Sequence, residues 1–151
     1  MPLRDYPRAE LLRQPIGYWT GHTYRTVVGR IRSDLADEGL IQPTWWILNH
    51  VDGDPGAWNE EKLIDRLEPF DDQGTDFAEA FAQLKRRKLI HDGGSGLRLT
   101  ERGEAVLRRA RDRSAASLAQ TMEGVSEDDY LTMLDVLRRI VDNLGCDSDL
   151  P

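Results

Sequence analysis

One cysteine, Cys146, is all that the 151 residues contain, so no disulfide can close within the chain and a reducing, cytoplasmic setting is expected. Its place in a polar tail makes the thiol incidental rather than a redox sensor. No run of about 18 apolar residues that could span a bilayer is present, so no membrane partner is expected. The start of the chain, Met1-Pro2-Leu3-Arg4-Asp5-Tyr6-Pro7-Arg8, lacks the apolar core of a secretory signal. Histidine is scarce: His22, His50 and His91, with Cys146, show no metal-ligand spacing, so no metal site is expected. There is no GxSxG, no phosphate-binding loop and no HExxH. The acids Asp71-Asp72 and Glu127-Asp128-Asp129 read as turn and N-cap residues rather than general acids. No catalytic residue and no cofactor follow from this sequence, and an enzyme is not expected.

An excess of positive charge is also missing, since the formal net charge is −7. Its distribution matters more than its total. Residues 34–72 hold 11 acids against Lys62 and Arg66, and residues 123–151 are net −6, whereas residues 95–113 hold 6 Arg against 3 acids. Phosphate responds to the local field, because screening acts over about 8–10 Å. A local basic region inside an acidic chain is compatible with nucleic-acid binding, of modest and salt-dependent strength.

What is present is helix, in quantity. Charged residues make up 31% of the chain and mean hydropathy is −0.57, values of a soluble protein long enough to bury its own core. Ile16, Trp19, Val27, Val28, Ile31 and Leu35 recur at helical spacing over 15–38, up to Gly39, with Asp37 and Glu38 opposing the helix dipole so that this end is frayed or paired. Thr44 is the expected cap of a short helix over Trp45–Val51, followed by a loop at Asp52-Gly53-Asp54-Pro55-Gly56. Asn59 caps a helix from Glu60 to about Leu67, ended with the help of Pro69. After a turn at Asp71–Gly74, Asp76 and Glu79 form the pattern of a capping box for a helix carrying Phe77, Ala80, Phe81, Leu84 and Leu89. A long pattern from Thr100 carries Ala105, Val106, Leu107, Ala110, Leu118 and Met122, interrupted at Arg111–Ser114. Ser126 with Asp129 caps a last helix striped by Tyr130, Leu134, Leu137, Val141 and Leu144, widened by Met133, Val136 and Ile140.

Between the helices, Leu89-Ile90 and Leu97-Arg98-Leu99 flank His91-Asp92-Gly93-Gly94-Ser95-Gly96. Two short apolar runs around a Gly-rich connection predict a hairpin. A helix running into a small hairpin and out into a helix capped by Thr100 is the order of a winged helix-turn-helix; a plain surface hairpin in a helical domain is the alternative. The terminal helices have apolar faces too wide for a small core, so pairing with a second copy is expected.

Three landmarks in order, Leu40-Ile41-Gln42-Pro43-Thr44-Trp45-Trp46-Ile47-Leu48, Leu84-Lys85-Arg86-Arg87-Lys88-Leu89-Ile90 and Leu99-Thr100-Glu101-Arg102-Gly103, resemble the MarR family of dimeric winged-helix regulators. The last matches its "LT-x-x-G" helix opening. Pro15-Ile16-Gly17-Tyr18-Trp19 and Asp142-Asn143-Leu144-Gly145 are similar to an actinobacterial branch. The likeness spans roughly 14–146. It implies a mainly α single domain over 1–151 with a small β-hairpin wing: a winged-helix DNA-binding part at 44–103 and dimerisation helices at 10–38 and 104–146. It implies a supporting helix Asn59–Leu67, a recognition helix Thr75–Lys88 and a wing at 91–97. This sequence departs from the family pattern at the wing tip, which has no arginine, and at the start of the recognition helix, which is acidic.

The function implied is that of a cytoplasmic, homodimeric, sequence-specific DNA-binding regulator, a ligand-responsive repressor on a pseudo-palindromic double-stranded operator. Thr75, Gln83, Lys85 and Arg86 on the helix and Arg98 on the wing are the expected DNA contacts. Tyr18, Trp19, His22, Trp45, Trp46 and His50 are the candidates for a small aromatic or phenolic ligand; Trp19, Trp45 and Trp46 also suit ordinary core, and His22 and His50 a helix-surface or hydrogen-bonded place. A MarR-like small-molecule or protein-binding module with weak or lost DNA binding is the alternative, motivated by the acidic middle segment and the wing without arginine.

Overall fold

The computed structural model describes residues 3–150, which fall into two compact units, one up to Ser117 and one from Leu118. The predicted mainly α architecture with one hairpin is the observed one. Its helices are α1 (Arg8–Leu11), α2 (Ile16–Ala36), α3 (Gln42–Gly53), α4 (Glu60–Leu67), α5 (Phe77–Arg86), α6 (Glu101–Thr121) and α7 (Glu127–Asn143), with strands β1 (Ile90–Asp92) and β2 (Leu97–Leu99) between α5 and α6. No helix among the described residues is long and apolar enough to cross a membrane.

In the first unit, α3 is the hub, touching α2, α4, α5 and β2. Ile47, Leu48 and Val51 of α3 are fully buried against Leu63 of α4, Phe81 and Leu84 of α5, Leu97 of β2 and Leu107 of α6. Spacings of three and four put Phe77, Ala80, Phe81 and Leu84 on one face of α5, which leaves the opposite face to solvent.

Several boundaries differ from the sequence expectation, each for a local reason. Helix α3 begins at Gln42, with Ile41 as N-cap and Pro43 within the first turn, where its missing N–H costs nothing. Thr44 is therefore not the cap: its hydroxyl accepts from the Ile41 N–H at 2.9 Å from inside the helix. The same helix runs through Asp52 and Gly53, so the loop starts at Asp54. Asn59 caps α4 as expected, accepting from the Lys62 N–H at 2.9 Å. Asp76 caps α5 through the Glu79 N–H at 3.1 Å, but the Glu79 carboxylate pairs with Arg86 instead of closing the box. Leu89 lies outside α5. Lys88, at φ 56, turns the chain, and the bonds Lys88 N–H to Lys85 O and Leu89 N–H to Leu84 O close a Schellman end. Helix α6 passes through Arg111–Ser114 without a break.

The hairpin pairs Ile90 with Leu99, His91 with Arg98 and Asp92 with Leu97. The α3–α4 loop braces it: the Gly56 N–H donates to Leu97 O at 2.9 Å and the Leu97 N–H to Trp58 O at 2.8 Å. At Gly96, φ 103, a Cβ would overlap the Gly56 backbone carbonyl, so the brace needs glycine there.

The acids at the end of α2 turn out to be paired. Glu38, only 9% exposed, accepts from Arg109 Nε at 2.9 Å and from Arg113 Nε at 3.2 Å. Burial by itself would raise the Glu38 pKa, but the two arginines outweigh it and hold it below the usual glutamate value. A depressed folded pKa means stability that is present above the unfolded value of about 4.5 and lost as pH falls through the folded one. Asp34, lowered chiefly by its hydrogen bond from Ser117, and Asp71, lowered chiefly by the Thr75 N–H, act in the same direction. Glu38→Gln is expected to cost about 1–2 kcal/mol at pH 7, allowing for the half-exposed arginines, and to flatten the fall of the melting temperature below pH 4.5. Parallel acid limbs for wild type and variant, in melts from pH 7 to 3, would refute this role.

In the second unit, α7 starts at Ser126, whose hydroxyl accepts from the Asp129 N–H at 3.1 Å as expected. None of its residues is buried: Leu131, Met133, Val136 and Val141 are all exposed.

Candidate functional site

The solvent face of α5 and the adjoining hairpin carry most of the expected polar contacts. Gln83 is exposed and has no side-chain partner among the described residues. Lys85 and Arg86 are exposed too, but each is paired with an acid, Lys85 with Glu60 of α4 and Arg86 with Glu79 two turns back. Such exposed pairs are worth about 0.2–1 kcal/mol, so phosphate could compete for both cations. Arg87 is not available in this way. Its guanidinium donates to the Gly39 and Glu38 carbonyls at 2.6 and 2.8 Å, tying the end of α5 to the end of α2.

Thr75 is not on the helix. It sits two residues before α5, half-buried, with its N–H and hydroxyl both donated to the Asp71 carboxylate, at 2.6 and 2.8 Å. Arg98 is exposed on β2 opposite His91, its guanidinium over Gly56, and makes no ion pair among the described residues. Lys88 and Arg102, also exposed and without an ion pair among those residues, extend this basic edge. Neither was singled out from sequence, although both lie in the motifs flanking the hairpin.

The aromatic set is dispersed. Tyr18, Trp19 and His22 cluster at the exposed start of α2, with ring centroids 5.3 Å apart for Tyr18–Trp19 and 5.6 Å for the stacked Tyr18–His22. Trp19 borders a cleft with Tyr6, Glu10, Leu11 and Gln14. Trp45 packs against the core, and His50 donates from Nδ1 to the Trp46 carbonyl at 2.8 Å while meeting Trp58 edge-on. Of the six, only Trp46 lines the apolar cavity of about 180 Å³ between α2, the start of α3 and the turn before α5.

That cavity has a polar rim which the sequence did not reveal. Arg32 Nη2 donates to Asp72 Oδ1 at 2.7 Å and Arg32 Nε to Gln42 Oε1 at 2.9 Å. The Tyr24 hydroxyl also donates to Asp72, a bond that pushes the phenol pKa above the usual tyrosine value. These partners are 40 and 48 positions apart, and no spacing rule connects them. The result is a tie from α2 to the turn that leads into α5.

Solved structures of transcriptional regulators share this arrangement of elements. The PcaV transcriptional regulator from Streptomyces coelicolor is 26% identical over 83% of this chain and 97% of its own, with a TM-score of 0.63. A Mycobacterium tuberculosis MarR family protein in complex with DNA matches at 18% identity over 87% and 98%, TM-score 0.62. CouR from Rhodococcus jostii RHA1, bound to p-coumaroyl-CoA, matches at 20% over 85% and 93%, TM-score 0.63. Further solved MarR family regulators are similar as well. No protein-family model and no curated protein matches the chain.

Proposed function

Because the chain has the winged-helix fold of the MarR family of transcriptional regulators, we propose that it is a dimeric, ligand-responsive repressor that binds a pseudo-palindromic DNA operator. The observation that carries the DNA reading is the exposed polar face of α5, with Gln83, Lys85 and Arg86, leading directly into a hairpin that carries the exposed Arg98 and is flanked by the exposed Lys88 and Arg102. A helix of this size with a hairpin beside it suits a major groove flanked by backbone phosphates. Gln83 is the base-edge candidate; Arg86, Lys85 and Arg98 are phosphate candidates. Thr75 contributes by setting the start of α5 through Asp71.

Dimerisation is supported by α7, whose apolar side chains are exposed in the single chain, and by the exposed Ile16, Tyr18 and Trp19 of α2. Exposed apolar area of this kind marks an interaction surface. It supports partner contact over a ligand for the Tyr18–Trp19–His22 cluster. Ligand response is supported by the cavity at Trp46, which touches the turn before α5.

The proposal is checked by gel-shift titration against the chain's upstream intergenic DNA at two salt concentrations, since the slope counts released phosphates. Arg98→Ala is expected to weaken binding and lower the salt slope by about one. Glu79→Gln, which frees Arg86, is expected to tighten binding about two- to fivefold. No shifted band at low salt would reject the DNA role. That outcome would favour the second reading, a MarR-like module with lost DNA binding, for which the pairing of Lys85 and Arg86 with acids is the supporting observation.

A further inference from the structure

The cavity at Trp46 has a charge pattern that selects among ligands. Leu40, Pro43 and Trp46 supply apolar wall. The rim holds one guanidinium, Arg32, and two carboxylates, Asp71 and Asp72. Arg32 is already engaged by Asp72 and Gln42. Asp71 accepts the Thr75 N–H and hydroxyl and the Gln73 N–H but pairs with no cation among the described residues, and the Thr75 N–H bond lowers its pKa from the usual aspartate value. One negative charge on the rim is therefore left without a counter-charge among the described residues.

Resting on the ligand-responsive reading above, we infer that this cavity takes a small organic amine, a cation with an aromatic or apolar body, in preference to a carboxylic acid. An acid would have to displace Asp72 from Arg32 and would then face both released Asp72 and Asp71. An ammonium group brings no further negative charge to the rim and shares Asp72 with the donors already on it, Arg32 and Tyr24. It lies toward the two carboxylates while its apolar part covers the Trp46 ring, whose face also attracts cations. The cavity volume of about 180 Å³ suits a single-ring compound.

The same charge gives the ligand a route to DNA. Asp71 and Asp72 belong to the turn that runs through Thr75 and the cap Asp76 into α5. An ammonium bound at Asp72 competes with Arg32 and Tyr24 for that carboxylate. Occupancy thus loosens the tie between α2 and the start of the reading helix, and differential affinity for the two arrangements is what shifts an equilibrium.

The test uses the full chain and three probes of similar shape, benzylamine, benzyl alcohol and benzoate, titrated at pH 7 and low salt with tryptophan emission as readout. Benzylamine is expected to bind about tenfold tighter than benzoate, with the alcohol between them. The signal should vanish in Trp46→Phe, and Asp72→Asn should erase most of the amine's advantage. If Asp72→Asn melts below the assay temperature, the three-probe comparison on the unaltered chain decides the matter. Benzoate binding as tightly as benzylamine overturns the inference, as does a signal that survives Trp46→Phe or no saturation by benzylamine at millimolar concentration. Gel shifts with each probe separate the two proposals. Amine binding that leaves the DNA complex intact rejects ligand-responsive repression and keeps the ligand class; release of DNA by another compound, without amine binding, does the reverse.

Discussion

Gly103→Ala is expected to destabilise the protein by about 3 kcal/mol, the upper end for forcing an extra carbon into a packed site. Helix propensity alone argues the other way, because alanine in a helix interior is favoured over glycine by about 0.5–1 kcal/mol. Contact decides the sign. Gly103 lies in the first turn of α6 directly against the Leu89 carbonyl, and a Cβ there would overlap that oxygen and crowd the carbonyl carbon at 2.9 Å. The obstacle is backbone, which cannot swing aside like a side-chain tip. The same Leu89 oxygen accepts the Thr100 N–H at 3.1 Å, and the Thr100 hydroxyl accepts the Gly103 N–H at 3.0 Å. Moving it disturbs the start of β1 and the cap of α6 together. Urea unfolding followed by circular dichroism should show the midpoint falling with little change in slope. Gly29→Ala in α2, where a Cβ meets nothing within 4 Å, is the control and should be neutral or slightly stabilising. A Gly103→Ala variant as stable as that control would contradict the packing account.

Phe81→Ala is expected to cost about 3–5 kcal/mol, the usual range for emptying a buried aromatic site. Phe81 is 1% exposed on the inner face of α5 and belongs to the one core that joins α3, α4, α5, α6 and the hairpin. A loss of this size corresponds to a fall of about 10 °C or more in melting temperature for a domain of this length. The functional consequence follows from geometry. The inner face of α5 supplies its apolar contact with the core, so a collapsing site tilts Gln83, Lys85 and Arg86 away from the DNA they are proposed to meet. Gln83→Ala supplies the contrast: on the exposed face it should change stability by no more than about 0.5 kcal/mol while altering DNA selectivity. If Phe81→Ala melted like wild type, or if Gln83→Ala were the more destabilising of the two, the orientation of α5 described above would be wrong.

The two predictions mark the line between what is legible in a sequence and what is not. The inner face of α5 could be read directly, because Phe77, Ala80, Phe81 and Leu84 repeat at the period of the helix. Asn59, Thr100 and Ser126 could be read as caps for the same kind of reason: their side chains bond amides three residues on. The hairpin followed from Leu89-Ile90 and Leu97-Arg98-Leu99 around a glycine-rich tip. Where local signals competed, position was lost. Thr44 has the chemistry of a cap but lies within the helix, because Pro43 can begin the first turn ahead of it.

The candidate sites divide in the same way. The basic run Lys85–Lys88 was visible as composition, but only the folded chain separates Arg87, which clamps two carbonyls near Gly39, from Lys85 and Arg86, which wait on exposed acids. The six aromatic and histidine candidates share two helices in the sequence, yet only Trp46 reaches the cavity. A helix distributes neighbouring residues around its axis, and burial depends on what lies across from each. By itself, then, the sequence determined the elements, their order, their caps and the apolar face of each helix, since these depend on residues within four positions of one another. The tertiary structure alone decided the Arg32–Asp72–Tyr24 tie, the Glu38–Arg109–Arg113 cluster and the contact of Gly103 with Leu89. Those interactions join residues brought together only by packing, and neither charge nor periodicity along the chain specifies which distant partner each will meet.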